Sequence, residues 1–215
     1  MLTAMFDRIF TGIIRALVFA LLRPKVRFED ETVRKAVIDR PSILVCNHTG
    51  HLDGPILNSV LTRNRVHTLA AKDRFCQKGF GFFLRHTYCI PIDRENVDTS
   101  WLHESMAILK AGNGGKGGKD CVAIYPEGRH GSHRRQLPFH SGVIMLTMMA
   151  GVPVVPVYLD GPFKFFHKSN LIIGKPLEID TSGGFSAASI QEKTDMLQAK
   201  IKDLMNLYIE RYDRN

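Results

Sequence analysis

Two histidines and an aspartate crowd the short stretch "CNHTGHLDG", Cys46 to Gly54, directly after the apolar run Ser42 to Val45. Residues of these types at this spacing could ligate a metal, move a proton as a paired histidine and carboxylate, or close a buried strand. For proton transfer, His48 is the candidate base, because an imidazole can be neutral at pH 7 and still accept a proton. Asp53 is the candidate partner that orients it. In a continuous helix, residues five apart diverge by about 140°. The two side chains therefore meet only if the chain bends, which Gly50 permits. The bland alternative is a surface histidine followed by a capping aspartate, since "DGP" also suits a helix start. H-x-x-H-x-D suggests zinc, but a metal site needs three or four ligands with a settled outer shell. His130 and His133 are too generic to complete one, so no metal is expected and His51 is read as a solvated loop residue.

Two further charged clusters follow apolar runs in the same way: Asp93-Arg94 after "YCIPI", and Glu127 to His133 after "CVAIYP". The elements that must position them alternate. "SILVCN", "VHTLAAKD", "YCIPID", "CVAIYP", "VPVVPVYL" and "LIIGKPLEI" read as strands. Between them "HTGHLDGPILNSVL" turns through Gly50 and Gly54 and becomes helical, and "GFGFFLRHT", "TSWLHESMAILKA" and "FHSGVIMLTMMAG" read as helices. Ile190, Thr194, Leu197, Ile201, Leu204 and Tyr208 mark one face of a closing amphipathic helix. The expected class is α/β: a mostly parallel central sheet with helices on both faces. In such folds functional groups lie at the carboxyl ends of the strands, and all three charged clusters occupy that kind of position. "GNGGKGGK", Gly112 to Lys119, resembles a phosphate loop only superficially. No strand runs into it and no Gly-Lys-Ser/Thr follows, so it reads as a surface loop.

A chain of 215 residues, 44% hydrophobic and 23% charged, is enough for one sizeable domain. Its net charge of +8 points to nucleic acid, an anionic membrane surface or phosphorylated substrates. No nucleic-acid module is visible, so nucleic acid is not an expected partner. Cys46, Cys76, Cys89 and Cys121 lack a C-x-x-C spacing and are expected to be reduced thiols of a cytosol-facing protein. "MLTAMFDRIFTGIIRALVFALL" has helical apolar spacing, but its uninterrupted apolar run after Arg15 is too short to span a bilayer. The expectation is an interfacial helix over 1–24, with Arg8, Arg15, Arg23 and Lys25 toward anionic headgroups, ahead of a domain over 25–215. The alternative is a helix packed on the protein's own core.

Taken in order, "NHTGHLD" with His48 and Asp53, "YCIPIDR" ending in Arg94, "YPEG" with Glu127 and Gly128, and "VPVVPVYLDG" resemble the four sequence blocks of the glycerolipid acyltransferase family. "AAKDRF" resembles that family's Ala-Lys stretch. A single H-x-x-x-x-D is weak, whereas four blocks in order over roughly residues 40 to 180 are specific. The resemblance implies membrane-associated acyl transfer, at the cytoplasmic face, from acyl-CoA or acyl carrier protein to the hydroxyl of a lysophospholipid. The acceptor it implies is 1-acyl-glycerol-3-phosphate. The thioester is a co-substrate, and no cofactor is implied.

Within that resemblance His48 would take the acceptor's proton while Asp53 sets its tautomer. Arg94 would clamp the acceptor phosphate, for which a planar cationic fork is suited. The alternative is a surface ion pair with Asp93 or Glu95. Glu127 and Gly128 would form the core of the third block, and Lys72 is a further candidate contact for phosphate or CoA. The chain departs from the family after Glu-Gly. The usual Thr-Arg-Ser is replaced by Arg129, His130, Gly131 and Ser132, so Arg129 or His130 must reach the acceptor by another path. The second block also lacks its usual glycine, with Tyr88 near that place. These departures keep open an acyltransferase for another lysolipid or a phosphate-free lipid alcohol, and a non-catalytic membrane-binding homologue.

Overall fold

The computed structural model describes residues 2–33, 40–62, 64–96, 98–113, 119–131, 134–180 and 184–213. His133 and the middle of the glycine-rich segment lie outside them. Seven strands form one sheet: β1 (Lys25–Phe28), β2 (Ser42–Cys46), β3 (Val66–Ala71), β4 (Cys89–Ile92), β5 (Cys121–Ile124), β6 (Val154–Asp160) and β7 (Asn170–Ile173). Their order across the sheet is β1-β7-β6-β2-β5-β3-β4. The run from β6 to β4 is parallel, β7 joins β6 antiparallel, and β1 lies parallel to β7. The expected α/β class with a mostly parallel sheet is therefore what the chain adopts.

The helices are α1 (Leu2–Leu22), α2 (Asp53–Val60), α3 (Phe80–His86), α4 (Ser100–Asn113), α5 (Gly142–Ala150) and α6 (Ala187–Tyr212). Every residue of β2 is buried, as is every residue of β5. Strands covered on both faces need no polar alternation, which is why they read as continuous apolar runs. On one face Ile43, Val45, Val122 and Ile124 pack with Leu102, Leu109, Ile144 and Leu197 from α4, α5 and α6. On the other, Leu44, Cys46 and Ala123 pack with Ile56, Leu57 and Leu22 from α2 and α1. Ser186 caps α6, its Oγ accepting from the Ser189 N–H at 3.2 Å. Thr194, Leu197, Ile201, Leu204 and Tyr208 are buried along the helix face expected for them.

Two elements differ from the expectation. "KVRF" forms β1, an edge strand whose partly exposed, alternating charges hid it. "LIIGKPLEI" is a strand only to Ile173, beyond which Leu177 makes a single bridge to Val154.

The orientation of α1 is the larger difference. Asp7, Thr11 and Arg15 face the protein, while Arg8 stays exposed. Asp7 bonds His86 Nδ1 at 2.6 Å, Thr11 donates to the His86 carbonyl at 3.0 Å, and Arg15 donates to the Asn64 carbonyl at 2.7 Å. Arg15 was expected among the headgroup contacts and instead satisfies backbone carbonyls that α1 would otherwise strand. Met5, Ile9, Ile13, Leu17 and Phe19 stand at least half exposed on the opposite side.

Candidate active site

The parallel sheet brings the carboxyl ends of β2, β5, β3 and β4 to one edge, so the three charged clusters meet there. After Cys46 the chain turns through His48 to Gly50 and enters α2 at Asp53. The Asp53 side chain is fully buried and folds back on this turn. Its Oδ2 accepts from His48 Nδ1 at 2.8 Å, from the Thr49 N–H at 2.7 Å and from the Gly50 N–H at 3.0 Å. Its Oδ1 accepts from the Thr49 hydroxyl at 2.6 Å. Surrounded by donors at the N-terminus of α2, the carboxylate can only accept. Nδ1 of His48 is thus the protonated nitrogen and Nε2 is left with a free lone pair. The side chains five positions apart do meet, through the bend at Gly50.

Packing fixes the imidazole plane. Tyr125 stacks on His48 with ring centroids 4.3 Å apart and planes 18° apart. His130 meets it edge-on at 4.2 Å. Burial holds the Tyr125 hydroxyl well above its ordinary pKa, and the nearby Asp53 charge adds to the shift. Burial, followed by the neighbouring His48 and His51, lowers the His130 pKa.

Two cavities meet at His48. One, of about 280 Å³, runs under α1 between α2, β3 and α3, and its wall includes Ile14, Pro55, Leu69, Phe80, Phe83 and Leu84. The other, of about 270 Å³, lies between the end of β4 and the starts of α4 and α5, beside Trp101, Gly128, His140 and Val143. His48, Leu69, Arg94 and Tyr125 line both.

Arg94 and Arg129 stand exposed on the rim of the first cavity with His130. Among the described residues neither guanidinium is paired with a carboxylate. The ion pair considered for Arg94 does not form, because Asp93 turns instead to its own loop. It accepts from the N–H groups of Glu95 and Asn96, and its Oδ2 lies 3.7 Å from Lys72 Nζ. Lys72 is exposed and lies outside both cavity walls. His51, expected to be a solvated loop residue, also lines the first cavity, its ring 4.8 Å from that of His130. Among the described residues no group of three His, Cys, Asp or Glu side chains is placed to hold a metal ion.

Glu127, a candidate substrate contact, is only 3% exposed and lies outside the walls of those two cavities, behind His48 in a small gap shared with Asn47 and Gly131. It accepts from the Leu137 N–H at 3.3 Å and from the His48 backbone N–H. Burial raises its pKa, partly offset by those bonds. Gly131 carries the same loop past it, its N–H donating to the His48 carbonyl at 2.8 Å. A Cβ at Gly131 would stand 2.7 Å from Glu127 Oε2. Gly131, in the place of the family's serine, is thus a close-packing point, while Arg129, one position nearer Glu127 than the family's arginine, reaches the rim. Gly128 takes a positive φ of 67° with its Cα facing His140, where a Cβ would meet Nε2 at 3.0 Å.

Sequence reasoning missed the supports. Asn47 bridges β2 to β6, accepting from the Leu159 N–H at 2.7 Å and donating to its carbonyl at 2.9 Å. Thr49 supplies two of the bonds to Asp53. Gly161, at the end of the fourth block, backs onto Thr49 so closely that a Cβ would lie 2.1 Å from Oγ1. A glycine just after a buried strand is a signal of close backbone approach, but its partner is visible only in space.

A protein-family model described as Acyltransferase matches residues 25–160. The chain is 30% identical over 174 residues to 1-acyl-sn-glycerol-3-phosphate acyltransferase of Bacillus subtilis (strain 168), covering 78% of this chain and 83% of that protein. It is 28% identical to the human 1-acyl-sn-glycerol-3-phosphate acyltransferase beta, covering 79% of this chain and 62% of that one. The fold superposes on the crystal structure of the 1-acyl-sn-glycerophosphate acyltransferase PlsC from Thermotoga maritima. The TM-score is 0.68 at 21% identity, over 96% of this chain and 82% of that one. By the extent of the family match and the relationship to the Bacillus enzyme, this chain belongs to the acyltransferase family and is an acyltransferase.

Proposed function

We propose that the enzyme transfers a fatty acyl group from acyl-CoA or acyl carrier protein to the free hydroxyl of 1-acyl-glycerol-3-phosphate, giving phosphatidic acid. The observation that carries this reading is a histidine–aspartate pair at 2.8 Å where two largely apolar cavities meet, under two arginines that have no carboxylate partner among the described residues. His48 Nε2 takes the acceptor hydroxyl's proton as its oxygen attacks the thioester carbonyl. The imidazolium, stabilised by Asp53, then gives that proton to the departing thiolate. Two chain-bearing substrates fit two cavities converging on one base, and Arg94 and Arg129 are suited to a phosphate at the rim. No metal or cofactor takes part in these steps. The homologues named for 1-acyl-sn-glycerol-3-phosphate support the choice of acceptor.

The reaction needs a lipid surface. We place the outward face of α1 in the interface of an anionic, cytoplasm-facing leaflet. Among the described residues no helix is long and apolar enough to cross a membrane. The apolar side of α1 is exposed, and contiguous apolar surface of that kind marks an interaction site.

An acceptor panel with labelled acyl-CoA tests the assignment. Lysophosphatidic acid should be preferred over monoacylglycerol. Arg94→Ala should lose about tenfold to a hundredfold toward lysophosphatidic acid, the weight of one charge-assisted contact, and much less toward monoacylglycerol. Arg129→Ala should behave alike. A wild type that prefers the phosphate-free acceptor would overturn the assignment.

A further inference from the structure

The connection between β6 and β7 contains "FKFFHK", Phe163 to Lys168. Phe163 packs inward against the core beneath α1. Phe165 and Phe166, by contrast, are 54% and 73% exposed. Phe166 also holds a positive φ of 66°, a conformation unfavourable for a bulky L residue. It is kept there by its N–H donating to the Leu21 carbonyl at 2.6 Å, and Ser169 donates to the Leu22 carbonyl at 3.0 Å. The loop is thus tied at two points to the last turn of α1, next to Phe19, which is itself 57% exposed.

The exposed charge on the loop has one sign; Asp160, at its start, is largely buried and lies against Arg134 and Tyr158. Lys164, His167 and Lys168 are exposed, as are Arg23 and Lys25 at the end of α1. No acidic residue occurs from Arg8 to Phe28 or from Gly161 to Leu177. Large aromatics at a loop tip with lysines beside them suit the boundary between acyl chains and anionic headgroups, where rings bury and ammonium groups stay wet. An acidic protein partner would satisfy the lysines but would not need two adjacent rings standing proud of the surface.

We propose that the Phe163–Lys168 loop is a second membrane anchor, inserting Phe165 and Phe166 into an anionic bilayer while Lys164 and Lys168 contact its headgroups. It rests on the reading of α1 as an interfacial helix and deepens it. One helix can roll about its axis on a surface, whereas a helix and a loop joined at its end hold the domain in one orientation, with the cavity under α1 at a fixed height.

Sedimentation of the protein with phosphatidylcholine vesicles, with and without phosphatidylglycerol, tests this. Phe165→Ser/Phe166→Ser should lower partitioning about tenfold or more on mixed vesicles, given the transfer energy of exposed rings. Lys164→Gln/Lys168→Gln should lose about fivefold per lysine on phosphatidylglycerol-containing vesicles, and little on pure phosphatidylcholine. Phe166→Trp should show emission quenched by brominated lipid well beyond any quenching of Trp101 in the unsubstituted protein. Ile9→Lys/Ile13→Lys tests α1 separately. If the α1 variant loses binding while both loop variants bind like wild type, the loop proposal is overturned and the α1 reading stands. If wild type fails to bind anionic vesicles, both fall. A loop variant whose only change is in self-association would assign the phenylalanines to a second copy of the chain and also overturn the proposal.

Discussion

Gly161 lies outside both cavity walls adjoining His48, yet Gly161→Ala should cripple the reaction. The added Cβ would stand 2.1 Å from Thr49 Oγ1 and 2.5 Å from Thr49 Cβ. Ordinary contact distances are well over 3 Å, so Thr49 must move by an ångström or so. Its N–H and hydroxyl supply the 2.7 Å and 2.6 Å bonds to Asp53, whose Oδ2 in turn holds His48 Nδ1 at 2.8 Å. Hydrogen bonds to a charged group are worth about 1.5–3 kcal/mol each. Losing or stretching one frees Asp53 to rotate and carries the imidazole with it. Misplacing a reacting group by about 1 Å can cost a hundredfold. The expectation is a kcat for thiol release from acyl-CoA roughly a hundredfold below wild type, with KM changed far less. Overpacking should lower stability by about 1–3 kcal/mol. Thermal unfolding checks that the protein remains folded at assay temperature. A folded Gly161→Ala enzyme with wild-type kcat would show that the Thr49 contact does not support the dyad.

Tyr125 holds His48 through its ring, and its buried hydroxyl has no hydrogen-bond partner among the described residues. Tyr125→Phe should therefore keep activity within a few-fold and leave Tm equal or higher. Tyr125→Ala should lose both stability and kcat. Glu127 offers a pH test. Its folded-state pKa is raised above the ordinary 4.5, with burial the leading cause. The fold thus favours its protonated form. That contribution is present at pH below the unfolded value and is lost as pH rises through the folded one. Glu127→Gln should match wild-type Tm in acid and gain on it as pH climbs. Identical pH profiles of Tm for the two proteins would contradict that assignment.

What could be read from the chain divides along physical lines. β2, β5 and β6 were legible because strands buried on both faces leave unbroken apolar runs. The clusters after them were legible as a site because parallel strands must deliver their carboxyl ends to one edge. β1 was hidden, since an edge strand may keep its charges and its partner β7 lies far along the chain. For α1 the helix was legible but its orientation was not. A polar stripe looks like a solvent or headgroup face unless one knows that Arg15 finds the Asn64 and Thr62 carbonyls and the Asn58 side chain. The dyad could be inferred from a bend at Gly50. Its scaffold could not, because Thr49, Gly161, Asn47 and Tyr125 act through contacts between segments. Glu127 looked like a substrate contact by its place in the third block, but burial and two backbone donors make it a strut behind His48.

The central claim is that His48 is the base at the junction of the two cavities. It is tested most directly by single-turnover acyl transfer from labelled acyl-CoA to lysophosphatidic acid, with wild type and His48→Ala at saturating substrate. His48→Ala should lose about a hundredfold or more in the transfer step, with unchanged thermal unfolding and vesicle binding. A folded, membrane-bound His48→Ala protein that transfers the acyl group at near wild-type rate would contradict it.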